Sequence, residues 1–156
     1  MKRLQDNVTL ITGGGKGIGF GLATAFAREG SNLVITGRTE SRLLSAKERL
    51  ESEYGIEVLP LVADGADEAS VKSVVKAALD RFGKINTLVN NAQTSKSGLP
   101  LVEHSKADFD LAIAAERLPS MYSTMTALPG MRPRSTPSSV LKTLTVISGI
   151  IWMMSS

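Results

Sequence analysis

An apolar run from Val8 to Ile11 leads directly into Thr12-Gly13-Gly14-Gly15-Lys16-Gly17-Ile18-Gly19, and no other segment restricts the fold as strongly. Glycines allow positive φ angles and a close approach of backbone that a side chain would block. The unpaired N–H groups of a helix that starts after such a turn attract an anion. Beyond the turn, Ile18, Leu22, Ala25 and Phe26 recur at helical spacing, which predicts a buried face. Gly30 ends this helix, with Arg28 in its last turn. Strand, glycine turn and helix in this order form a seat for a pyrophosphate.

The rest of the chain extends the alternation. Strand-like runs are expected at Val8 to Thr12, Asn32 to Thr36, Glu57 to Val62, Thr87 to Asn90 and Thr143 to Ile147. Between them lie a polar helix from Glu40 to Glu53, with Leu43, Ala46 and Leu50 on one face, and a helix whose stripe is Val71, Val74, Val75, Ala78, Leu79 and Phe82. Gly83 closes the second of these. Strands alternating with helices imply an α/β fold, a doubly wound parallel sheet covered on both faces. Right-handed crossovers order the strands 3-2-1-4-5, with the ligand site over their carboxyl ends between strands 1 and 4.

Two motifs carry a family resemblance. The Thr-Gly-x-x-x-Gly-x-Gly spacing of residues 12–19 resembles the cofactor turn of the short-chain dehydrogenase/reductases. Leu88-Val89-Asn90-Asn91-Ala92-Gln93 is similar to that family's Asn-Asn-Ala-Gly element, with Gln93 in place of the glycine. The resemblance covers about residues 6 to 115. It implies a Rossmann-like fold, and a cofactor held by Thr12, Gly13, Gly14, Gly15, Lys16, Gly17, Ile18, Gly19, Asn90, Asn91 and Ala92. A complete member of the family is longer, so strands beyond the fifth are expected to be missing.

The end of the second strand, Val34-Ile35-Thr36-Gly37-Arg38, has no acidic residue to bind a ribose 2′-hydroxyl. Gly37 stands there, and Arg38 follows. A carboxylate would repel a 2′-phosphate, whereas a guanidinium binds one through paired hydrogen bonds. Lys16 adds a second positive charge, and the pair resembles the family's NADP-preferring pattern. The alternative is that both are solvated surface charges. Asp64 ends the third strand. The resemblance implies that it accepts a hydrogen bond from the adenine amino group, and its local chemistry also suits capping the turn before Asp67 and Glu68.

The residues for proton transfer are harder to find. In the family, a Tyr-x-x-x-Lys pair, a serine after strand 5 and an asparagine in the preceding helix act with the nicotinamide. Tyr54 is followed four residues later by Val58, and Tyr122 by Thr126. Ser148 falls one place early, Gly149 stands where the serine belongs, and Glu116 occupies the asparagine position. No catalytic residue is therefore assigned. His104 is the only histidine, and the chain has no cysteine, so no metal site is expected.

Composition changes near Glu116. All 15 acidic residues lie at or before it, and five of the six Met and four of the six Pro lie beyond it. Residues 1–116 are expected to form the dinucleotide-binding domain, and 117–156 an atypical tail that includes strand 5. The abrupt loss of acids and of family pattern at one place points to truncation or a change of reading frame there. The alternative is a surface segment of biased composition. The overall charge of +3 belongs to the tail, because the first 116 residues carry 14 of the 18 Lys and Arg against all 15 acids, so nucleic-acid binding is not expected.

The absence of cysteine suits a reducing cytoplasm, no secretory signal is visible, and Leu144 to Met154 falls short of the roughly 20 residues a membrane span needs. Two functions fit these features. One is an NADP(H)-dependent oxidoreductase acting on a carbonyl, alcohol or enoyl substrate and incomplete in this chain. The other is a non-catalytic NADP-binding sensor or partner-binding module. With later strands missing, the fifth strand is expected at the sheet edge with Ile150 to Met154 uncovered, which favours self-association.

Overall fold

A computed structural model describes residues 2–65, 67–92, 105–107, 142–147 and 150–154, the last two segments by their backbone. The elements run β1 (Val8–Thr12), α1 (Gly17–Arg28), β2 (Asn32–Gly37), α2 (Glu40–Tyr54), β3 (Val58–Val62), α3 (Glu68–Phe82), β4 (Thr87–Asn90), β5 (Lys142–Ile147) and β6 (Ile150–Met154). The expected strands match to within a residue at either end. The sheet order is β3-β2-β1-β4-β5-β6. β1 pairs in parallel with β2 and β4, and β5 pairs in parallel with β4.

One expectation about the sheet is corrected. The fifth strand is not its edge, because β6 pairs antiparallel along it, with Thr143 opposite Met154 and Ile147 opposite Ile150. The run Ile150–Met154, which contains the β-favouring Ile150, Ile151 and Trp152, takes the ladder that β5 leaves open.

Successive side chains on a strand point to opposite faces, and the buried residues divide accordingly. Leu10, Val34 and Leu88 pack with Val71, Val74, Val75 and Ala78 of α3 on one face. Ile11, Leu33, Ile35 and Val89 pack with Ala23 and Ala27 of α1 and Leu43, Ala46 and Leu50 of α2 on the other. The chain thus winds one way through α1 and α2. It crosses back over the opposite face through α3, leaving a crevice at the carboxyl ends of β1 and β4.

The buried face of α1 differs from its apolar pattern. Gly19, Ala23 and Ala27 are its buried residues, Leu22 and Phe26 are partly buried, and Ile18 is 63% exposed. Small residues let this helix approach the sheet more closely than a row of large side chains would. α2 buries the stripe expected of it, and α3 buries Val71, Val74, Val75 and Ala78 of its stripe, with Leu79 and Phe82 partly buried. Each ends on a glycine in the left-handed region, Gly55 at φ +65° and Gly83 at φ +71°.

β3 lies at the sheet edge, and α2 covers part of that edge with charge. Lys47 Nζ donates to the Val58 carbonyl at 2.9 Å and to Glu51 Oε1 at 2.6 Å, while the Val58 N–H donates to Glu51 Oε1 at 2.9 Å. Pro60, two residues on, shares the outward side with Val58, where a missing N–H costs no ladder bond. Both devices discourage pairing with a foreign strand.

Candidate nucleotide-binding site

Thr12 ends β1 with its side chain buried. Its hydroxyl accepts hydrogen bonds from the backbone N–H groups of Asn91 and Ala92, both at 2.9 Å, and donates to the Val89 carbonyl at 3.4 Å. Asn91 reciprocates, its Nδ2 donating to the Thr12 carbonyl at 3.0 Å and lying 3.5 Å from the Gly13 carbonyl. The glycine turn and the end of β4, nearly eighty residues apart in sequence, are therefore one hydrogen-bonded unit.

The glycines serve different purposes within it. Gly13 has φ +70°, and a Cβ there would stand 3.0 Å from Asn91 Nδ2. Gly14 donates its N–H to the Thr36 carbonyl at 3.1 Å, and a Cβ on it would meet Ile35 at 2.8 Å. Gly15 faces the first turn of α2, where Leu43 and Arg42 lie. Gly17, at φ +54°, has open space around it. Gly19 is buried where α1 crosses the turn.

Lys16 is the N-cap residue of α1 and makes no side-chain cap, and no acidic residue occupies the first turn. The leading amides of α1 thus have no capping side chain, in contrast to α3, where Asp67 accepts from the N–H groups of Ala69 and Ser70. Uncapped amides and the positive end of a helix dipole fit an anionic group. Asp67 caps α3 itself, and in the turn before it the Asp64 carbonyl accepts from the Asp67 N–H at 3.1 Å. Asp64 is exposed just beyond β3, and its N–H donates to Ser70 Oγ at 3.2 Å.

Every expected cofactor residue lies at the carboxyl end of β1, β2, β3 or β4, on the turn that follows, or, for Gly17, Ile18 and Gly19, in the first turn of α1. Arg38 is exposed directly after β2, and Asn90 ends β4 with a buried Oδ1 that has no hydrogen-bond partner among the described residues. The site also contains residues that motif reading passed over. A cleft of about 370 Å³ opens beside Gly15 and Lys16, between α1 and α2, and is lined by Phe20, Ser41, Arg42, Ser45 and Arg49 among others. Ser41, Ser45 and Arg49 follow one another at four-residue intervals next to the buried stripe of α2, and this spacing is the sequence signal for the cleft.

Tyr54, a tyrosine weighed for catalysis, is remote from this site. It ends α2, which runs back to the amino ends of the strands, and its hydroxyl donates to Glu53 at 2.6 Å. That hydrogen bond, with partial burial, raises the phenol pKa above its usual value of 10.0. Gln93, His104, Glu116, Tyr122, Ser148 and Gly149 lie outside the described residues, as does the domain boundary expected near 116. Among the described residues no cluster of His, Asp or Glu could hold a metal ion, and no helix is long and apolar enough to cross a membrane.

Comparison with known proteins agrees with this geometry. The chain is 46% identical over 134 residues to 12alpha-hydroxysteroid dehydrogenase of Clostridium sp., which covers 82% of this chain and 52% of that protein. The structure resembles NAD+-bound xylitol dehydrogenase with a TM-score of 0.70 at 26% identity, covering 79% of this chain and 48% of that one. It resembles a short chain dehydrogenase from Burkholderia cenocepacia in complex with NADP with a TM-score of 0.67 at 29% identity, covering 78% and 50%. The chain thus spans about half the length of these proteins. The short chain dehydrogenase pattern matches residues 7–150. On that match, and on a glycine turn fastened to the end of the fourth strand, this chain belongs to the short chain dehydrogenase family.

Proposed function

We propose that this chain is the dinucleotide-binding part of an NADP(H)-dependent oxidoreductase that acts on an alcohol, carbonyl or enoyl group. The observation that carries this reading is the uncapped start of α1, with Lys16 at its N-cap, on a turn that Thr12 and Asn91 hold in place. The α1 amides take the pyrophosphate, Lys16 and Arg38 take the 2′-phosphate, and Gly37 leaves no carboxylate to repel it. Asp64 accepts from the adenine amino group. When bound, the nicotinamide supplies or accepts the hydride.

Proton exchange with the substrate needs groups that this sequence does not contain in the family's arrangement. Tyr54, at the amino ends of the strands, does not supply one, and a second reading is that these residues bind NADP(H) and signal its presence to a partner without turnover. Self-association along β6, at the other edge of the sheet from β3, is part of the proposal.

Titration calorimetry with NADPH and NADH tests the binding claim. The expected result is tighter binding of NADPH, by roughly tenfold for one charge-assisted contact. Equal or tighter binding of NADH rejects the NADP assignment, and no binding of either rejects both readings. Turnover of a panel of alcohols and carbonyls, hydroxysteroids included, would reject the non-catalytic reading.

A further inference from the structure

The cleft between α1 and α2 is larger than a single phosphate requires, and its charge is one-sided. Lys16, Arg42 and Arg49 line it with the hydroxyls of Ser41 and Ser45, and no carboxylate takes part. Among the described residues Lys16, Arg38 and Arg42 enter no ion pair. Arg49 is held at the far end, its guanidinium 4.7 Å from the centre of the Phe20 ring.

The place of Arg42 is fixed by the glycine turn itself. A Cβ on Gly15 would lie 3.2 Å from Leu43 Cδ2, 3.5 Å from the Arg42 carbonyl carbon and 3.6 Å from Arg42 Cβ. The bare backbone at Gly15 therefore lets the first turn of α2 rest against the phosphate-binding turn, with Arg42 beginning one van der Waals contact away. Arg38 is not among the residues that line the cleft.

On the reading given above, we infer that Arg42 is a nucleotide-specificity residue, which with Lys16 forms the wall of the cleft that receives the 2′-phosphate of NADP(H). Arg38 then approaches the phosphate from the solvent side. An arginine grips a phosphate through two parallel N–H donors, which the Lys16 ammonium cannot do. Arg49, anchored on Phe20, adds positive potential at the back of the cleft.

Binding of adenosine 2′,5′-bisphosphate and adenosine 5′-monophosphate to the full chain tests Arg42 without any need for turnover. Wild type is expected to prefer the bisphosphate. Arg42→Ala and Arg42→Gln are each expected to weaken the bisphosphate by roughly tenfold and to leave the monophosphate within about twofold, the span of one lost charge-assisted contact. Lys84→Ala, which removes an exposed cation ahead of β4 at the amino end of the sheet, should change neither. If wild type prefers the bisphosphate and both Arg42 variants keep that preference, the role of Arg42 is rejected while the NADP reading stands. Equal weakening of both ligands also rejects it. A wild type without preference removes both.

Discussion

A Cβ placed on Gly19 would stand about 2.1 Å from the Gly13 carbonyl oxygen and 2.6 Å from Asn91 Nδ2. The first turn of α1 lies against the backbone of the turn that precedes it, with no volume left between them. For Gly19→Ala two effects oppose one another. Helix propensity favours alanine over glycine by about 1 kcal/mol, whereas forcing a methyl group into filled space costs roughly 1–3 kcal/mol or more. The obstacle is backbone that cannot swing aside, so sterics should win. Urea unfolding is expected to show a net loss of at least about 1 kcal/mol, and any gain in stability would contradict the packing described for α1.

Thr12→Val keeps the shape of the side chain and removes the acceptor of the Asn91 and Ala92 N–H groups. Leaving a buried donor unpaired costs about 1–3 kcal/mol. The expected loss in chemical denaturation is about 2 kcal/mol. Thr12→Ser keeps the hydroxyl and should recover most of it. Valine and serine variants of equal stability would show that the hydroxyl does not hold the two segments together.

Asp67→Ala should destabilise the protein by about 1 kcal/mol, the usual worth of an N-cap. Asp67→Asn, which keeps an acceptor oxygen, should cost distinctly less. Thermal unfolding of the two variants separates capping by the side chain from the mere presence of a negative charge at the start of α3.

The Lys47, Glu51 and Val58 group predicts an acid-sensitive contribution. Burial pushes the Glu51 carboxyl up, but the Lys47 hydrogen bond, the Val58 N–H and the lysine charge together hold it below its ordinary value of 4.5. A carboxyl with a lowered folded-state pKa adds stability that is fully present above its unfolded value and fades as pH falls through the folded one. At neutral pH, Glu51→Gln should therefore be less stable than wild type, by about 1 kcal/mol. The difference should shrink as pH drops below 4.5. A gap that stays constant from pH 7 into the acid range would show that the charge of Glu51 is not responsible.

Much of this architecture was legible in the sequence because large apolar residues at regular spacing leave a strong signal. Leu43, Ala46 and Leu50 mark the buried side of α2, and Val71, Val74, Val75 and Ala78 that of α3. The buried side of α1 departs from its apolar pattern for a physical reason. A helix in close contact needs small residues facing inward, and Gly19, Ala23 and Ala27 carry too little hydrophobicity to register against Ile18 and Phe26. The glycine turn was recognisable, but its attachment to Asn91 was not. No spacing rule links residues 12 and 91, because β1 and β4 become neighbours only when the sheet forms. No spacing marks Arg42, whose significance depends on how closely Gly15 lets α2 approach.

The hydrogen bonds between Thr12 and Asn91 also bear on the thermodynamics of association. Glycine-rich loops are commonly mobile, and a ligand that must first immobilise one gives up part of its affinity to lost conformational entropy. Here the freezing is done by folding, through contacts that involve no ligand. A nucleotide meets a seat already in shape, and its binding energy is left for contacts with the phosphates. Loosening this clamp should therefore appear in calorimetry first as a more unfavourable binding entropy, with the direct phosphate contacts still intact.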